Sequence, residues 1–368
     1  MKQLSLTNGK TNYDLARSLV SGGPSYMVLF VTALCNARCP MCFYWEEIES
    51  AHAKLELRLE EYQKIAGNMK NLYYLSIGGG EPFVRKDLPQ IVEAFYKSSQ
   101  TRVVSIATNG WYTKRVRDFI EYTRENCPRL QLKLQVSIDN LYEKHDENRL
   151  VKGLFVKLLD TCKLIGEMKQ SGADVVLSIA TVLTPKNRDD LSDLRQFLED
   201  NIPYDDLVLI FPRGNAKDPM FKEVTLDEYR EGKKMFEATR GKAGSFARLY
   251  QVVYDRASAG IEQYLEKGPD GYPWTCVAGK KLITLLEKGQ LMPCEMLYQI
   301  APKLDSNIGN VRDFDYDIPA MLKIDKAKKL REFIVDTHCS CSYECAALAN
   351  VVFTKKEWPK VAKAFLKA

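Results

Sequence analysis

Short apolar runs, rich in β-branched and aromatic residues, alternate with helical patterns along the first 240 residues. Between the runs, apolar residues recur at helical spacing, as in the series Leu59, Tyr62, Ile65 and Met69. Continuous apolar runs of this length are typical of strands that are buried on both faces of a parallel sheet. Six units of strand followed by helix predict an α/β fold, either a parallel sheet or an incomplete barrel. The six runs occupy residues 26–33, 72–77, 103–107, 132–138, 175–183 and 207–211.

The pattern changes after residue 240. A helical pattern at 246–266 is followed by a turn cluster at 268–271, two short strand-like runs and the last five cysteines. We therefore predict an N-terminal extension, a barrel, a helical linker, a small metal-organised module and a basic amphipathic C-terminal helix. We expect that helix to pack on the body of the protein, and contact with an anionic membrane surface is the alternative. The five segments span residues 1–24, 25–240, 241–269, 270–350 and 351–368.

Composition and charge exclude several classes of protein. Of the 368 residues, 45% are hydrophobic and 27% are charged, which is ordinary for a globular protein and argues against extended disorder. The net charge of +5 is too small to predict nucleic-acid binding. No apolar run approaches the roughly 18 residues of a membrane span. Residues 1–10 lack the apolar core of a secretory signal, so we expect a cytoplasmic protein.

The chain contains ten cysteines and three histidines, and eight of the cysteines fall into clusters. In a reducing compartment, clustered cysteines bind metals or act in catalysis more often than they form disulfides. With so few histidines, the thiolates favour an iron–sulfur or a zinc site. The first cluster, Cys35-x3-Cys39-x2-Cys42, directly follows the first predicted strand. Three thiolates on one loop can hold three irons of a [4Fe–4S] cubane and leave the fourth iron open to a substrate or cofactor.

Two other kinds of site also use cysteine loops. One is a structural zinc loop without its fourth ligand, although zinc sites usually carry paired Cys-x2-Cys spacings. The other is a two-cluster ferredoxin, whose Cys-x2-Cys-x2-Cys spacing is absent from the chain. The spacing therefore favours a single cluster with an open iron.

Glycine-rich and polar motifs follow the later predicted strands, at the ends where α/β barrels place their chemistry. Glycines 78–80 allow a backbone to approach a ligand closely, and Glu81 can pair with an ammonium group. Ser137 and Asp139 can hydrogen-bond ribose hydroxyls or an amino-acid group, and Arg149 can bind a carboxylate in a bidentate fork. Taken singly, these residues are equally consistent with a glycine turn, a helix N-cap and a surface arginine.

The cysteine loop and these motifs, in this order, resemble the radical S-adenosylmethionine (radical SAM) enzyme superfamily over residues 25–215. Thr108-Asn109-Gly110, after the third predicted strand, extends the resemblance. The resemblance implies a partial (β/α)6 TIM-like barrel and a [4Fe–4S] cluster held by Cys35, Cys39 and Cys42. It also implies that S-adenosylmethionine (SAM) is bound through Gly79, Gly80, Glu81, Asn109, Ser137, Asp139 and Arg149. One departure is Met41, which stands where the family often has an aromatic residue.

The second cysteine group is Cys276-x12-Gly289-x4-Cys294, followed by Cys339-x-Cys341-x3-Cys345. It resembles the C-terminal extension of many radical SAM enzymes, called SPASM in its long form and twitch in its short form. The long form has seven cysteines, whereas this region has five, so we favour the twitch form with one auxiliary [4Fe–4S] cluster. The expected ligands are Cys276, Cys294 and Cys345, with either Cys339 or Cys341. Two incomplete clusters and a structural zinc knot are the alternatives.

The resemblance implies a radical SAM oxidoreductase that reductively cleaves SAM to a 5′-deoxyadenosyl radical and abstracts a hydrogen atom from its substrate. We expect net oxidation of a small molecule, with the auxiliary cluster accepting an electron. Maturation of a ribosomal peptide or protein is the second interpretation, and thiol hydrogen donation with epimerisation is the third. A flavodoxin or ferredoxin is the expected electron donor. The non-enzyme alternative, an iron–sulfur electron carrier or zinc-binding adaptor, has no use for the motifs at the strand ends.

Overall fold

A computed structural model describes residues 9–237 and 245–367 of the chain. Within these residues, the strands are β1 (Tyr26–Thr32), β2 (Tyr74–Gly79), β3 (Val103–Thr108), β4 (Gln131–Ser137), β5 (Val175–Val182), β6 (Asp206–Ile210), β7 (Leu282–Leu285), β8 (Gln290–Met292) and β9 (Gly309–Asn310). The helices are α1 (Gly9–Val20), α2 (Trp45–Glu49), α3 (Leu59–Asn68), α4 (Leu88–Ser98), α5 (Thr113–Asn126), α6 (Tyr142–Arg149), α7 (Leu154–Gln170), α8 (Leu191–Asn201), α9 (Leu226–Glu237), α10 (Ser245–Lys267), α11 (Leu297–Ile300), α12 (Ile318–Met321), α13 (Asp325–Asp336), α14 (Glu344–Phe353) and α15 (Trp358–Lys367). None of the helices in these ranges is long and apolar enough to cross a membrane.

One sheet joins all nine of these strands, in the order β6-β5-β4-β3-β2-β1-β7-β8-β9. The first six strands run parallel to one another, as six strand–helix units predict, so the α/β fold class is confirmed. Strand β7 pairs in parallel with β1, and Tyr26 lies opposite both Tyr74 and Leu282. The domain boundary at residue 270 stays a prediction. The sheet does not end there, since β7, which follows the boundary, pairs with β1.

The two faces of the parallel strands differ in chemistry. In β4, Leu132, Leu134 and Val136 are buried in the main hydrophobic core, together with residues of the surrounding helices. The intervening residues of β4, among them Lys133 and Gln135, are only partly buried. The prediction that the strands are buried on both faces therefore holds for β1, whose seven residues are all buried, and is wrong for β4, whose second face is polar and only partly buried.

The sheet curves around this polar face. The ammonium group of Lys133 donates hydrogen bonds to Asp206 Oδ2, two strands away on β6, at 2.9 Å and to the hydroxyl of Tyr250 on α10 at 3.3 Å. The ring of Tyr26 on β1 lies 4.6 Å from the ring of Tyr74 on β2. The contacts of Lys133 with β6 and α10 reach across the concave face of the sheet, which we call the lumen of a partial barrel.

The C-terminal helices pack as a separate small core beside the barrel. Helix α10 contacts α14 and α15, and the buried members of this core are Ala257, Ile261, Trp274, Ala347 and Val351. On α15, Val361 packs against it, and the indole N–H of Trp358 donates to the carbonyl of Val352 at 2.9 Å. The basic helix thus packs on the body of the protein, while Leu366 on it is 84% exposed.

Candidate functional site

The cysteine loop begins directly after β1 and is held by a buried carboxylate that sequence reasoning missed. Glu56 Oε1 accepts hydrogen bonds from the Thr32 hydroxyl at 2.7 Å and from the Ala33 backbone N–H at 2.9 Å. Within the loop, the Cys42 N–H donates to the Cys39 carbonyl at 3.0 Å. A carboxylate more than twenty residues along the chain carries no local signal, so only the fold identifies Glu56 as an anchor of the loop.

The Gly79-Gly80-Glu81 segment packs on the backbone of the same loop. The N–H groups of Gly80 and Glu81 donate to the carbonyls of Thr32 and Leu34 at 2.7 and 2.9 Å. A Cβ atom on Gly79 would lie 2.4 Å from the Thr32 carbonyl oxygen, and one on Gly80 would lie 2.3 Å from that of Leu34. Both glycines are therefore required by the close approach of two protein backbones, whereas the motif predicted the approach of a ligand.

The carboxylate of Glu81 lies inside the protein and ties two loops together. Its Oε1 accepts from the Phe83 N–H at 3.0 Å and the Thr108 hydroxyl at 2.8 Å, and its Oε2 accepts from the Asn109 N–H at 2.7 Å. These three bonds leave one of the roughly four acceptor positions of a carboxylate free, on Oε2. Burial raises the pKa of Glu81 to about 7, against the effect of the N–H donors.

Asn109 links the end of β3 to the cysteine loop. Its Nδ2 donates to Oδ1 of Asn36, the residue after Cys35, at 2.9 Å, and its Oδ1 accepts from the Trp111 N–H at 3.0 Å. The neighbouring Tyr112 is close enough to the loop that burial, Glu81 and Cys35 together raise the pKa of its phenol. The side chain of Asn109 is thus used within the protein on both of its polar atoms.

Asp139 and Arg149, both expected to contact SAM, bind each other. The Nη2 and Nε atoms of Arg149 donate to Asp139 Oδ2 at 2.6 and 2.9 Å, while Asp139 Oδ1 accepts from the Val182 N–H at 3.0 Å. Against the effect of burial, Asp139 and the thiol of Cys39 hold the pKa of Arg149 above its ordinary value. Three of the five N–H groups of Arg149 stay unused by this pair, on a guanidinium beside the cysteine loop. Ser137, the third residue expected here, lies partly exposed at the end of β4.

His145 contacts the backbone of Asp139, next to this ion pair. Its Nδ1 accepts from the Asp139 backbone N–H at 3.2 Å, and its Nε2 has no partner among the described residues. Burial, followed by the charge of Arg149, lowers the pKa of His145 to about 4, so the imidazole is neutral near pH 7. We assign His145 to the positioning of Asp139.

The three cysteines of the loop are partly buried, and their thiols influence one another electrostatically. Burial raises the pKa of Cys35 to about 11 and that of Cys42 to about 12, and Cys39 adds to both shifts. Burial raises the pKa of Cys39 as well, although Arg149 opposes it. Neutral thiols are thus favoured until a metal cation compensates the charge of the thiolates. As positioned, the described Cys, His, Asp and Glu side chains form no group of three around one common metal-ion position.

Four of the five C-terminal cysteines influence one another electrostatically, whereas Cys345 does not take part. Cys294 is buried, and after burial the charges of Cys276, Cys341 and Cys339 raise its pKa. The pKa of Cys341 is likewise raised by burial first and then by Cys276 and Cys339. These four thiols come from three separate stretches of chain, and their influence on one another's pKa indicates that they are neighbours.

Cys345 has different neighbours. It hydrogen-bonds with Tyr26 and Tyr343, and after burial its pKa is raised by Glu295 and opposed by Arg213. It lies in the first turn of α14, whereas Cys339 and Cys341 precede that helix. The expected set, with Cys345 and only one of Cys339 and Cys341, differs from this grouping because the start of the helix directs Cys345 toward β1.

Asn350 holds α14 against the loop of Cys276. Its Oδ1 accepts from the Val277 N–H at 2.9 Å, and its Nδ2 donates to the Tyr272 hydroxyl at 2.9 Å. Asn350 is fully buried. An asparagine in an apolar helical pattern could have indicated a tertiary hydrogen bond, but its partners lie about seventy residues earlier and carry no signal of their own.

The lumen contains polar residues that the sequence analysis did not single out. Lys133 and Asp206 form an ion pair in it, and Asp206 also accepts from the Ser178 hydroxyl at 3.2 Å. Against burial, Asp206 holds the pKa of Lys133 above its ordinary value. Cys345 borders this space through Tyr26. The alternation of Gln131-Leu-Lys-Leu-Gln-Val-Ser137 along β4 was the available signal.

Comparison with protein families matches residues 29–198 to the Radical SAM superfamily. Among curated proteins, the chain is similar to the GTP 3′,8-cyclase of Peptoclostridium acidaminophilum, with 28% identity over 180 residues, or 48% of this chain and 52% of that protein. The GTP 3′,8-cyclase of Haemophilus ducreyi is 32% identical over 93 residues, or 25% of this chain and 27% of that protein. The chain thus spans about half, or less, of the length of these two relatives.

Solved structures resemble the chain over most of its length. SuiB of Streptococcus suis, bound to S-adenosylmethionine, has a TM-score of 0.58 at 15% identity, covering 88% of this chain and 72% of SuiB. The protein anSMEcpe, with bound AdoMet and the Cp18Cys peptide, has a TM-score of 0.54 at 16% identity, covering 94% of this chain and 96% of anSMEcpe. At these identities the likeness concerns the fold, which extends through the barrel and into the cysteine-rich C-terminal region.

Proposed function

We propose, for a chain that belongs to the radical SAM superfamily through residues 29–198, that it is an oxidoreductase acting on a small polar molecule. Its cluster would be held by Cys35, Cys39 and Cys42. The single observation that carries the proposal is the set of three partly buried cysteines on one loop, whose backbone is held by Gly80 and Glu81. When bound, a [4Fe–4S] cluster and SAM supply a 5′-deoxyadenosyl radical upon one-electron reduction, and this radical abstracts a hydrogen atom.

The residues around the loop have the donors and acceptors that SAM requires. The free acceptor position on Glu81 Oε2 suits the ammonium group of the methionyl moiety, and the unused N–H groups of Arg149 suit its carboxylate. The hydroxyl of Ser137 is available to the ribose. Asp139 would orient Arg149, and the packing of Asn109 and Gly79 would keep the loop in place.

For the C-terminal region we propose an auxiliary [4Fe–4S] cluster held by Cys276, Cys294, Cys339 and Cys341. Their mutual electrostatic influence supports this set. Cys345 would remain a thiol at the border of the lumen, hydrogen-bonded to Tyr26. If bound there, an auxiliary cluster would supply the acceptor for the electron that the substrate radical gives up, together with a proton to solvent or a base, in a net oxidation.

The polar lumen supports a polar substrate. Lys133, Asp206 and Ser178 line it with one ion pair and hydroxyl groups, which suit a hydrogen-bonding molecule better than a hydrocarbon chain. The curated relatives are named for action on GTP, which is itself a small polar molecule. A peptide is the second candidate, because SuiB and anSMEcpe have been solved with peptides bound.

The test is 5′-deoxyadenosine formation by the anaerobically reconstituted protein with dithionite and SAM. We expect slow formation without substrate and faster formation with the small-molecule fraction of a cell extract than with its peptide fraction, with GTP as a separate arm. A fully iron-loaded protein that forms no 5′-deoxyadenosine under any of these conditions would contradict the proposal. Stimulation by the peptide fraction alone would favour the second candidate.

A further inference from the structure

A basic depression lies on the outer surface of the barrel, between the start of α5 and helix α7. It is an open cavity of about 610 Å³. Four of its seven lining residues are cationic and none is acidic. Those residues are Trp111, Tyr112, Thr113, Lys114, Arg115, Arg117 and Lys157. Lys114 pairs with Asp118 at 2.8 Å, but both side chains are largely exposed, so this pair neutralises the depression only in part.

The cations of the depression are accessible. Arg117 and Lys157 are exposed, and neither forms an ion pair within residues 9–237 and 245–367. Arg38, inside the cysteine loop itself, is a further exposed cation, and its Nη1 donates to the carbonyls of Cys35 and Ala37, both at 2.8 Å. A net charge of +5 over the whole chain would not by itself produce such a local concentration.

The depression adjoins the site of the cluster. Trp111 in its wall donates through its backbone to Asn109, which in turn donates to Asn36 beside Cys35. Tyr112, also in the wall, lies within the electrostatic influence of Cys35. One layer of side chains therefore separates the basic depression from the cysteine loop.

Arg115 makes the wall rigid. Its Nη1 donates to the carbonyls of Phe83 and Val84 at 2.6 and 2.8 Å, and its guanidinium lies 4.6 Å from the centre of the Tyr112 ring. These bonds connect the wall to the turn that directly follows Glu81. The surface next to the cluster site is thus held in one arrangement before any partner binds.

We propose that the basic depression docks an acidic one-electron carrier protein, which delivers its electron across Asn109 and Tyr112 to the cluster on Cys35, Cys39 and Cys42. The inference rests on the proposed function and identifies where its electron enters. The carrier loses one electron and the cluster gains one, with no bond formed or broken. Exposed cations around an open surface favour a protein with a complementary charge, because they accelerate diffusional encounter without enclosing a small ligand.

The test reverses three charges that hold no part of the loop. We compare Lys114→Glu/Arg117→Glu/Lys157→Glu with the wild type, using a reduced acidic flavodoxin as the probe. The association rate and the rate of cluster reduction in stopped-flow should fall about tenfold or more at low salt. In the wild type, raising the ionic strength should produce a similar loss, since these charges are screened. Calorimetric binding of the oxidised flavodoxin should weaken in parallel, which gives a measure independent of catalysis.

A matched control carries the same change in net charge elsewhere. Lys234→Glu/Lys323→Glu/Lys329→Glu reverses three exposed lysines on α9, before α13 and on α13, and should leave the flavodoxin rates unchanged. Formation of 5′-deoxyadenosine with dithionite should be equal in all three proteins, because a small reductant needs no docking surface. This arm separates the two hypotheses, since failure of the dithionite reaction in the wild type would contradict the proposed function.

Three results would overturn the inference. They are unchanged flavodoxin binding and reduction in the first variant, an equal loss in the control variant, and a parallel loss of the dithionite reaction in the first variant alone. Calorimetry with inorganic phosphate covers the case of a small ligand. Stoichiometric phosphate binding that the first variant abolishes, with normal reduction by flavodoxin, would assign the depression to a small anion instead.

Discussion

The two cysteine regions are built in opposite ways. Cys35, Cys39 and Cys42 lie on one short loop, and the barrel supports its backbone through Glu56 and the Gly79–Glu81 segment. In the C-terminal region, the thiols come from three stretches of chain that only the tertiary fold brings together. A local loop needs its metal for chemistry, whereas a set assembled from distant segments also needs it, we expect, for stability. The difference predicts distinct responses to the loss of a ligand.

The largest expected effect follows from Cys39→Ala. Removal of one of three thiolates from a loop with no spare ligand should abolish the SAM-dependent cluster, so iron should fall from about eight to about four per chain and 5′-deoxyadenosine formation should cease. Iron analysis and chromatography of the product measure both. Cys162→Ala is the control, because Cys162 is buried in α7 outside both groups and should keep its iron and activity. Undiminished product from Cys39→Ala would contradict the assignment of the loop.

The double variant Cys276→Ala/Cys294→Ala tests the C-terminal cysteine region in the same way. Iron should again fall to about four per chain, but slow SAM cleavage should persist because the barrel loop is intact. The melting temperature should fall as well, since metal ligation contributes folding free energy to small modules of this kind. Calorimetry of the reconstituted proteins measures the difference. A wild-type protein with about four irons and one tightly bound zinc would replace the auxiliary cluster by a structural zinc site.

A narrower effect distinguishes Cys341 from Cys345. Cys341→Ala should lose the auxiliary cluster, whereas Cys345→Ala should retain it, because Cys345 is hydrogen-bonded to Tyr26 and Tyr343, apart from the other four thiols. Iron content and the electron paramagnetic resonance spectrum of the reduced proteins provide the measurement. The reverse pattern, with iron lost only from Cys345→Ala, would restore the ligand set that was expected from the cysteine spacing.

The smallest expected effect concerns Glu81 and the pH dependence of SAM binding. The pKa of Glu81 is about 7 in the unliganded protein, so affinity for an ammonium group should rise as the pH increases through 7 and the carboxylate ionises. Glu81→Gln should remove this rise and weaken binding at pH 8 by about tenfold or more, since a hydrogen bond between charged groups contributes roughly 1.5–3 kcal/mol. Titration calorimetry across this pH range is the measurement. Equal affinity of both proteins at every pH would restrict Glu81 to its loop contacts.

The raised pKa of Glu81 also makes the stability of the folded protein depend on pH. Because burial raises the pKa of Glu81 above its ordinary 4.5, the folded protein binds a proton more tightly than the unfolded chain does. The stability that this group contributes is therefore fully present below about pH 4.5 and is lost as the pH rises through about 7. Bound SAM should offset part of that loss, because its ammonium group stabilises the ionised carboxylate.

Much of the barrel follows from local pattern. The apolar runs at 103–107 and 175–183 correspond to β3 (Val103–Thr108) and β5 (Val175–Val182) within one residue at each end. The polar lumen was not predicted, because the apolar content of the runs is a stronger local signal than the alternation that is visible in β4. Local signals thus identified where strands lie but not what one of their faces encloses.

The sequence predicted which residues gather at the candidate site, but it did not predict their contacts with one another. Gly79 and Gly80 were singled out for a ligand, yet their space is taken by the carbonyls of Thr32 and Leu34. Asp139 and Arg149 were assigned to SAM separately, yet they bind each other. A motif indicates which side chains gather at the ends of parallel strands, but their hydrogen-bond partners depend on neighbours tens of residues away.

The sequence by itself determined the order of strands and helices and the position of the cysteine loop, because each is written in residues that are close along the chain. Only the tertiary structure decided which C-terminal thiols are neighbours, how Glu56 and Asn109 hold the loop, and that Lys114, Arg117 and Lys157 line one depression. These features join residues from different helices and strands. The physical reason is that the packing of whole elements sets the distances between such residues, and no local pattern contains those distances.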